Sequence, residues 1–185
     1  QYMLYNYLLA NPEEKVHNRN KMMPPISKLY DLEMAKKVGL KIPHTVFSQG
    51  IDRKEQIVKP VTGGAHVAEG NEATYPCIIQ DKIVGKNIRI YAIKGTIFAF
   101  EIMTSMIDYR EDSEVDCKCV EVPGDLKQKL IELNKLLDLS FTASDFMFDG
   151  TDYYYLETND MPMFIIFDNK TKGKLGECLY KELCK

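Results

Sequence analysis

F-T-A-S-D-F-M-F-D-G-T-D-Y-Y-Y-L-E-T-N, residues 141–159, decides how this chain folds. Two runs rich in aromatic side chains flank the turn-forming D-G-T-D, which predicts an antiparallel hairpin. Side chains along a strand alternate between its faces. On strict alternation Tyr153, Tyr155, Glu157 and Asn159 share one face, and Tyr154, Leu156 and Thr158 the other. Glu157 and Asn159 then project side by side, with Cα atoms roughly 6–7 Å apart. Asp145 lies on the neighbouring arm. Two acids and a carboxamide converging on one face are hard oxygen donors, suited to magnesium carrying phosphates. The alternative is a solvated sheet face, where such residues need no partner.

Working outward, residues 87–104 predict a second hairpin, with arms N-I-R-I-Y-A-I and I-F-A-F-E-I-M-T around the turn K-G-T. Asn87, Arg89 and Tyr91 share a face there. A guanidinium on that face can lie opposite the acids and hold anionic oxygens. Its structural alternative is an ion pair with Glu101 on the other arm. Between the hairpins, 105–116 reads as a polar loop. Asp125 to Leu139 is a helix with Leu126, Leu130, Leu133 and Leu137 on one face. A last amphipathic helix, from about Lys174, carries Leu175, Cys178, Leu179 and Leu183.

Upstream, Pro24 and Pro25 end whatever precedes them, and Ser27 reads as a helix N-cap. Leu29, Leu32, Ala35 and Val38 follow at helical spacing until Gly39 stops the helix. Short strands are expected in K-I-P-H-T-V-F and in Gln56–Lys59, the latter ended by Pro60. Cys77–Val84 reads as a buried strand. Residues 61–73 have three glycines and no periodicity, so they read as a loop. Lys28 opens a helix, and Lys59 ends a strand before Pro-Val-Thr-Gly-Gly. A lysine beside a glycine-containing loop can clamp phosphate, because the backbone approaches closely there. Most lysines simply solvate a surface. No G-x-x-x-x-G-K-[ST], no G-x-G-x-x-G after a strand and no G-x-S-x-G occurs.

The order of elements, with hairpins and helices in separate blocks, favours an α+β fold over a doubly wound parallel sheet. The 185 residues suffice for one sizeable core or two small lobes around a cleft. The net charge of 24 − 27 = −3 favours no nucleic acid as partner, and no apolar run has the roughly 20 residues that cross a bilayer. The opening Q-Y-M-L-Y-N-Y-L-L-A lacks the basic leader of a signal peptide and reads as a helix cut off from something upstream. The cysteines at 77, 117, 119, 178 and 184 are odd in number and fit reduced thiols in a cytoplasmic protein. Histidines at 17, 44 and 66 stand at no zinc-site spacing from the C-x-C at 117–119.

The ordered set S-K-L-Y-D-L-E-M-A-K-K-V-G-L-K-I-P-H-T, I-V-K-P-V-T-G-G, Q-D-K-I-V-G-K-N-I-R-I-Y-A-I-K-G, S-D-F-M-F and L-E-T-N resembles the ATP-grasp ligases. Within them it most resembles the peptide-modifying branch, the graspetide (microviridin-type) macrocyclases and, more distantly, the ribosomal-protein glutamate ligases. Asp108-Tyr109-Arg110 also resembles an Asp-x-Arg element of that branch. The likeness runs from about residue 15 to 185 and rests on the order and spacing of motifs that are singly degenerate.

The resemblance implies two α+β lobes with mainly antiparallel sheets sandwiching ATP. Residues 1–20 would be the remnant of an upstream lobe, 21–79 the small lobe and 80–185 the large one. Lys28 and Lys59 would contact ATP phosphates. Gly63 and Gly64 would belong to a lid over them, spanning 62–68. Gln80, Asp81, Lys82 and Ile83 would form the hinge that holds adenine, and Asn87 falls where relatives usually carry Asp. Arg89 would stabilise the transferred phosphoryl group, and Arg110 would grip the substrate carboxylate. Asp145, Glu157 and Asn159 would hold Mg2+.

The implied activity joins a carboxylate to an amine or hydroxyl through an acyl phosphate, on a peptide or protein such as a ribosomal precursor peptide. A small-substrate ligase related to glutathione synthetase and a catalytically degenerate ATP-binding module are the alternatives. Relatives are often homodimers. The chain departs from the family after the metal strand. Relatives read E-x-N-P-x-G, and this chain reads E-T-N-D-M-P-M-F. Asp31 replaces a common Gln.

Overall fold

A computed structural model describes residues 2–18, 28–48, 56–60, 68–69, 77–106 and 109–183. Five helices and nine strands are assigned among them: α1 (Tyr2–Ala10), α2 (Lys28–Lys37), β1 (Thr45–Ser48), β2 (Gln56–Pro60), β3 (Ala68–Glu69), β4 (Cys77–Asp81), β5 (Lys86–Ile93), β6 (Thr96–Met103), β7 (Asp116–Cys119), α3 (Gly124–Leu136), β8 (Phe141–Phe148), β9 (Tyr153–Asn159), α4 (Ile165–Lys170) and α5 (Lys174–Leu183). The α+β class expected from the sequence is the class observed. Strands β1-β4-β2-β3 form one antiparallel sheet and β7-β6-β5-β8-β9 a second.

The larger sheet is a consequence of residue alternation. Ile88, Ile90, Ala92, Phe146 and Tyr155 face the leucines of α3 and the Leu32, Met34 and Ala35 of α2, in one apolar cluster. The opposite face carries Tyr91, Ile93, Phe100, Ile102 and Ala143 against Phe167 of α4 and Leu175 of α5. Both helices of the first layer end in the same way. After α2, Gly39 takes φ +78°, and the Leu40 and Gly39 amides donate to the Ala35 and Lys36 carbonyls. After α3, Asp138 takes φ +54°, and the Leu139 amide donates to the Asn134 carbonyl. That reversal is why the helix stops at Leu136 and not at the expected Leu139.

Residues 82–85 carry the chain from β4, in one sheet, to β5, in the other. The strand expected to run to Val84 therefore stops at Asp81. Gly85 makes the passage feasible: a Cβ there would stand 2.1 Å from the Phe148 carbonyl oxygen, so no side chain fits. Pro60, expected to end β2, is its last rung and pairs with Cys77.

Three expectations need correction. The 105–116 stretch is not all loop, because Tyr109–Glu111 is a 3-10 turn and Asp116 opens β7 (Asp116–Cys119) at the sheet's edge. The C-x-C thiols share one strand face, where Cys117 is buried and the Cys119 thiol reaches the Lys170 carbonyl. The K-G-T turn has only two turn residues, Lys94 (φ +46°) and Gly95 (φ +109°), and Thr96 already pairs with Ile93. One residue fewer in a turn shifts the register by one and reverses which face each partner occupies. Arg89 thus lies opposite Phe100, and Glu101 points to the other face.

The third correction falls on the 141–159 hairpin. Its ladder pairs Asp145 with Glu157 but Phe146 with Tyr155, so Leu156 is an extra residue in β9. This bulge breaks the alternation. Tyr153 and Tyr155 do not share a face with Glu157 and Asn159; they pack with Phe146 and Phe148 beneath α2 and α3. Glu157 and Asn159 remain on the face of Asp145, opposite Asp145 and Ala143. Among the described residues no helix is long and apolar enough to cross a membrane.

Candidate functional site

The charged cluster forms where β5, β8 and β9 lie side by side. Arg89 on β5 pairs directly with Asp145 on β8, and Asp145 pairs directly with Glu157 on β9. Arg89 Nη1 lies 2.9 and 3.0 Å from the two Asp145 carboxylate oxygens. Both groups are largely buried, and nothing is paired between Arg89 and Glu101. Glu101 instead receives Lys86 and Lys118 on the opposite face. The guanidinium is held on further sides. Nη1 donates to the Tyr109 hydroxyl at 2.8 Å and Nε to the Tyr91 hydroxyl at 3.2 Å. The Tyr91 hydroxyl donates to the Met163 carbonyl at 2.5 Å. The rings of Tyr91, Tyr109 and Phe167 lie 5.5, 5.8 and 5.7 Å from Arg89 Cζ. Nη2 makes no hydrogen bond among the described residues.

Burial acts on Asp145, Arg89 and Tyr91 alike. It pushes the Asp145 carboxyl up, against the pull of Arg89. Burial would lower the Arg89 pKa, but Asp145 and the two tyrosines outweigh it, so the guanidinium stays charged. The Tyr91 hydroxyl is raised by burial to about 12, against Arg89. A neutral tyrosine is what a donor to Met163 requires.

Two lysines reach the same acid from the other sheet and from α2. Lys28, the first residue of α2, places Nζ 3.2 Å from Glu157 Oε2. Lys59 of β2 places Nζ 3.8 Å from the same oxygen. Lys59 is buried, and burial lowers its pKa, opposed by Glu157 and assisted by Lys28. Three cations thus meet two carboxylates. The surplus positive charge suits a ligand that brings anionic oxygens, to which either lysine can turn.

Other expected residues fall as follows. Gln80 is buried on the same face of the smaller sheet as Lys59. Its Nε2 donates to the Thr45 hydroxyl, while its Oε1 has no hydrogen-bond partner. Asp81 is exposed and takes a hydrogen bond from Gln56; Lys82 is exposed and Ile83 half-buried in the connection to β5. Asn87 is half-buried on the Arg89 face. Asn159 is exposed, and its Oδ1 accepts the Met161 amide at 2.9 Å. Arg110 belongs to the 3-10 turn beside Tyr109; its side chain, like Gly63, Gly64, Ser27 and Asp108, lies outside the described residues. An open cavity of about 500 Å3 lies elsewhere, bordered by His17, Lys94, Asn134 and Asp138, and includes none of the charged cluster.

Sequence reading did not single out Tyr91, Tyr109 and Phe167 as the cage around Arg89. Tyr91 shared a face with Arg89 by period 2, which was the available signal. Tyr109 and Phe167 come from segments distant in sequence and carried none. The donor set suits a hard divalent cation: Asp145, Glu157 and the Asn159 carboxamide are oxygen donors on one face. Two are acids and the third is a carboxamide; among the described residues no group of three or more His, Cys, Asp or Glu side chains is gathered as metal ligands.

No protein-family model matches the chain, and no curated protein matches it. Solved structures do. The ATP-grasp ligase PsnB, in complex with a minimal precursor, superposes with a TM-score of 0.77 at 25% identity over 96% of this chain and 67% of that one. The macrocyclase MdnC of Microcystis aeruginosa, bound with precursor peptide MdnA, gives 0.69 at 19% identity, over 85% of this chain and 60% of that one. D-alanine–D-alanine ligase of Bacillus anthracis gives 0.67 at 15% identity, over 90% and 69%. This chain therefore has the ATP-grasp fold, spans about two thirds of the PsnB chain, and resembles the peptide-modifying ligases of that fold.

Proposed function

We propose that this ATP-grasp chain uses ATP and magnesium to activate a peptide carboxylate and join it to an amine or hydroxyl. The observation that carries the reading is the approach of Lys28 and Lys59, from α2 and the smaller sheet, to the Glu157 carboxylate beside the Arg89–Asp145 pair. In that arrangement the triphosphate lies between the two sheets. Lys28 and Lys59 exchange the carboxylate for phosphate oxygens. Gln80 and the 81–83 connection hold adenine, with the unpartnered Gln80 Oε1 ready to accept its exocyclic amine. In this reading Gly63 and Gly64, which lie outside the described residues, would belong to a lid over the phosphates, and the 21–79 and 80–185 segments would be the small and large lobes.

Asp145, Glu157 and Asn159 would hold magnesium, which when bound neutralises charge on the phosphate oxygens. Arg89 is kept rigid by its aromatic cage and its pairing with Asp145, and so meets the transferring phosphoryl group without reorganising. A carboxylate oxygen of the substrate attacks the γ-phosphorus, the bond to the β-bridging oxygen breaks, and ADP leaves. An amine or hydroxyl then attacks the acyl carbon, loses its proton and expels phosphate. In this reading Arg110 would grip the carboxylate.

Peptide substrates are favoured by PsnB and MdnC, both solved with precursor peptides. A turnover assay tests the reading. ADP release with Mg2+ is measured with a peptide rich in Thr, Ser, Asp and Glu, and separately with free amino acids. Stimulation by peptide is expected in the wild type and is lost in Glu157→Ala. Stimulation by free amino acids alone would assign a small substrate, and ATP binding with no stimulated ADP release would refute ligation.

A further inference from the structure

Asn18 makes five hydrogen bonds to the end of the β8–β9 hairpin that carries the charged cluster, and nothing in the ligase reading uses it. It is buried with φ +56°, although its neighbour His17 is exposed. Its Nδ2 donates to the Phe141 carbonyl at 2.6 Å and to the Asp160 carbonyl at 2.7 Å. Its Oδ1 accepts the Ser140 amide at 2.8 Å, with longer contacts from the Ser140 hydroxyl at 3.3 Å and the Phe141 amide at 3.4 Å. The carboxamide has two N–H groups and one carbonyl, and all are used. His17 secures the same point, with Nε2 donating to the Leu183 carbonyl and Nδ1 2.9 Å from the Ser140 hydroxyl.

The location gives the clasp its meaning. The last rung of β8–β9 is Ala143–Asn159. Beyond it the ladder has no backbone bond, and the Asn18 side chain bridges the strands instead, from Phe141 on β8 to Asp160, the residue after Asn159. Asn159 is exposed, so packing does not fix it. Its neighbours on either side are fixed: Thr158 by the Ser144 and Tyr155 hydroxyls, Asp160 by Asn18.

We infer that Asn18 is a positioning residue for the metal site, setting the exit of β9 and thereby the place of the Asn159 carboxamide relative to Asp145 and Glu157. The segment before α2 thus acts on the site without touching its ligand. Groups that orient a metal's ligands without touching the metal typically change its affinity by about 10- to 100-fold. This inference rests on the assignment of Asn159 as a magnesium ligand.

The test uses Mn2+ with ADP, read by water-proton relaxation, and ADP alone by calorimetry. Asn18→Gly removes the clasp while suiting φ +56°, so the backbone is not penalised. Asn18→Asp keeps the shape but sets a carboxylate against two carbonyls. Asn134→Ala, which removes a buried bond to Thr142 on the other face of β8, is the control for a lost buried hydrogen bond away from the site. Expected is about a tenfold weaker Mn2+ affinity in Asn18→Gly, more in Asn18→Asp, none in Asn134→Ala, and unchanged metal-free ADP binding. Unchanged Mn2+ affinity in folded Asn18→Gly, or an equal loss in the control, would show a structural clasp only. A wild type that binds no Mn2+ in the presence of ADP would overturn the metal-site assignment itself, and this inference with it.

Discussion

The two faces of the five-stranded sheet are made from the same strands and solve opposite problems. Beneath α2 and α3, β5, β8 and β9 offer Ile88, Ile90, Phe146 and Tyr155, which need only to exclude water. On the other face, the same strands offer Arg89, Asp145 and Glu157, which are expensive to bury and keep their charge only in company. The apolar face stabilises whatever the opposite face does. The charged face is stable because every buried charge has an opposite neighbour, and useful because those neighbours can be exchanged for ligand atoms.

Breaking the charged face gives the largest effect. Arg89→Met leaves Asp145 buried without its guanidinium, and removal of one partner of a buried pair costs about 3–5 kcal/mol. Replacing both, Arg89→Met with Asp145→Leu, restores much of that loss, because two apolar side chains need no compensation. Urea unfolding of both variants measures this. Phosphoryl transfer behaves differently and falls about 10²–10³-fold in the single and the double variant alike. Recovery of ADP release along with stability would mean that the pair is structural.

The apolar face breaks more simply. Leu130 is fully buried in α3, and Leu130→Ala costs about 2–5 kcal/mol through lost burial and a residual cavity. The unfolding midpoint drops in the urea titration, while the affinity for ATP, read by calorimetry on the folded fraction, stays that of the wild type. A matching loss of ATP affinity would show that the faces are not separable.

The same comparison explains what was legible in the sequence. The apolar face follows from period: the α3 leucines and the arms of both hairpins stand where helical and strand spacing put them. The encounter of Asp145 with Glu157 was legible too, because the residues flank a short turn. Local choices of one residue were not. The extra Leu156 sends Tyr153 and Tyr155 to the core, and a two-residue turn at Lys94–Gly95 sends Glu101 away from Arg89. Neither carries a compositional mark, yet each reverses a face. β7 and α4 escaped for another reason. D-C-K-C is short and half charged, and in I-I-F-D-N-K only Phe167 is buried. The lysine approach to Glu157 depends on tertiary structure and carried no mark in the sequence.

The smallest effect comes from an ion pair that resembles Arg89–Asp145 in sequence terms but not in surroundings. Glu101 lies on the α2 and α3 side of the sheet, near its edge, with Lys86 Nζ at 3.2 Å and Lys118 Nζ at 3.3 Å. Both lysines are exposed, so solvent screens the attraction. Burial acts to raise the Glu101 pKa, but the hydrogen bonds from Lys86 and Lys118 outweigh it and hold the carboxyl below its ordinary 4.5. A carboxyl lowered by folding stabilises the native state above the unfolded value, and that contribution is lost as pH falls through the folded one. Glu101→Gln should therefore lower the thermal midpoint by only about 1–2 °C at pH 7. The difference from wild type should close as pH falls below 4.5 and through the folded pKa. A gap of the Arg89→Met size at pH 7, or one that persists in acid, would mean that Glu101 contributes through packing and not through charge, and would erase the contrast between a pair buried on both sides and one whose lysines are exposed.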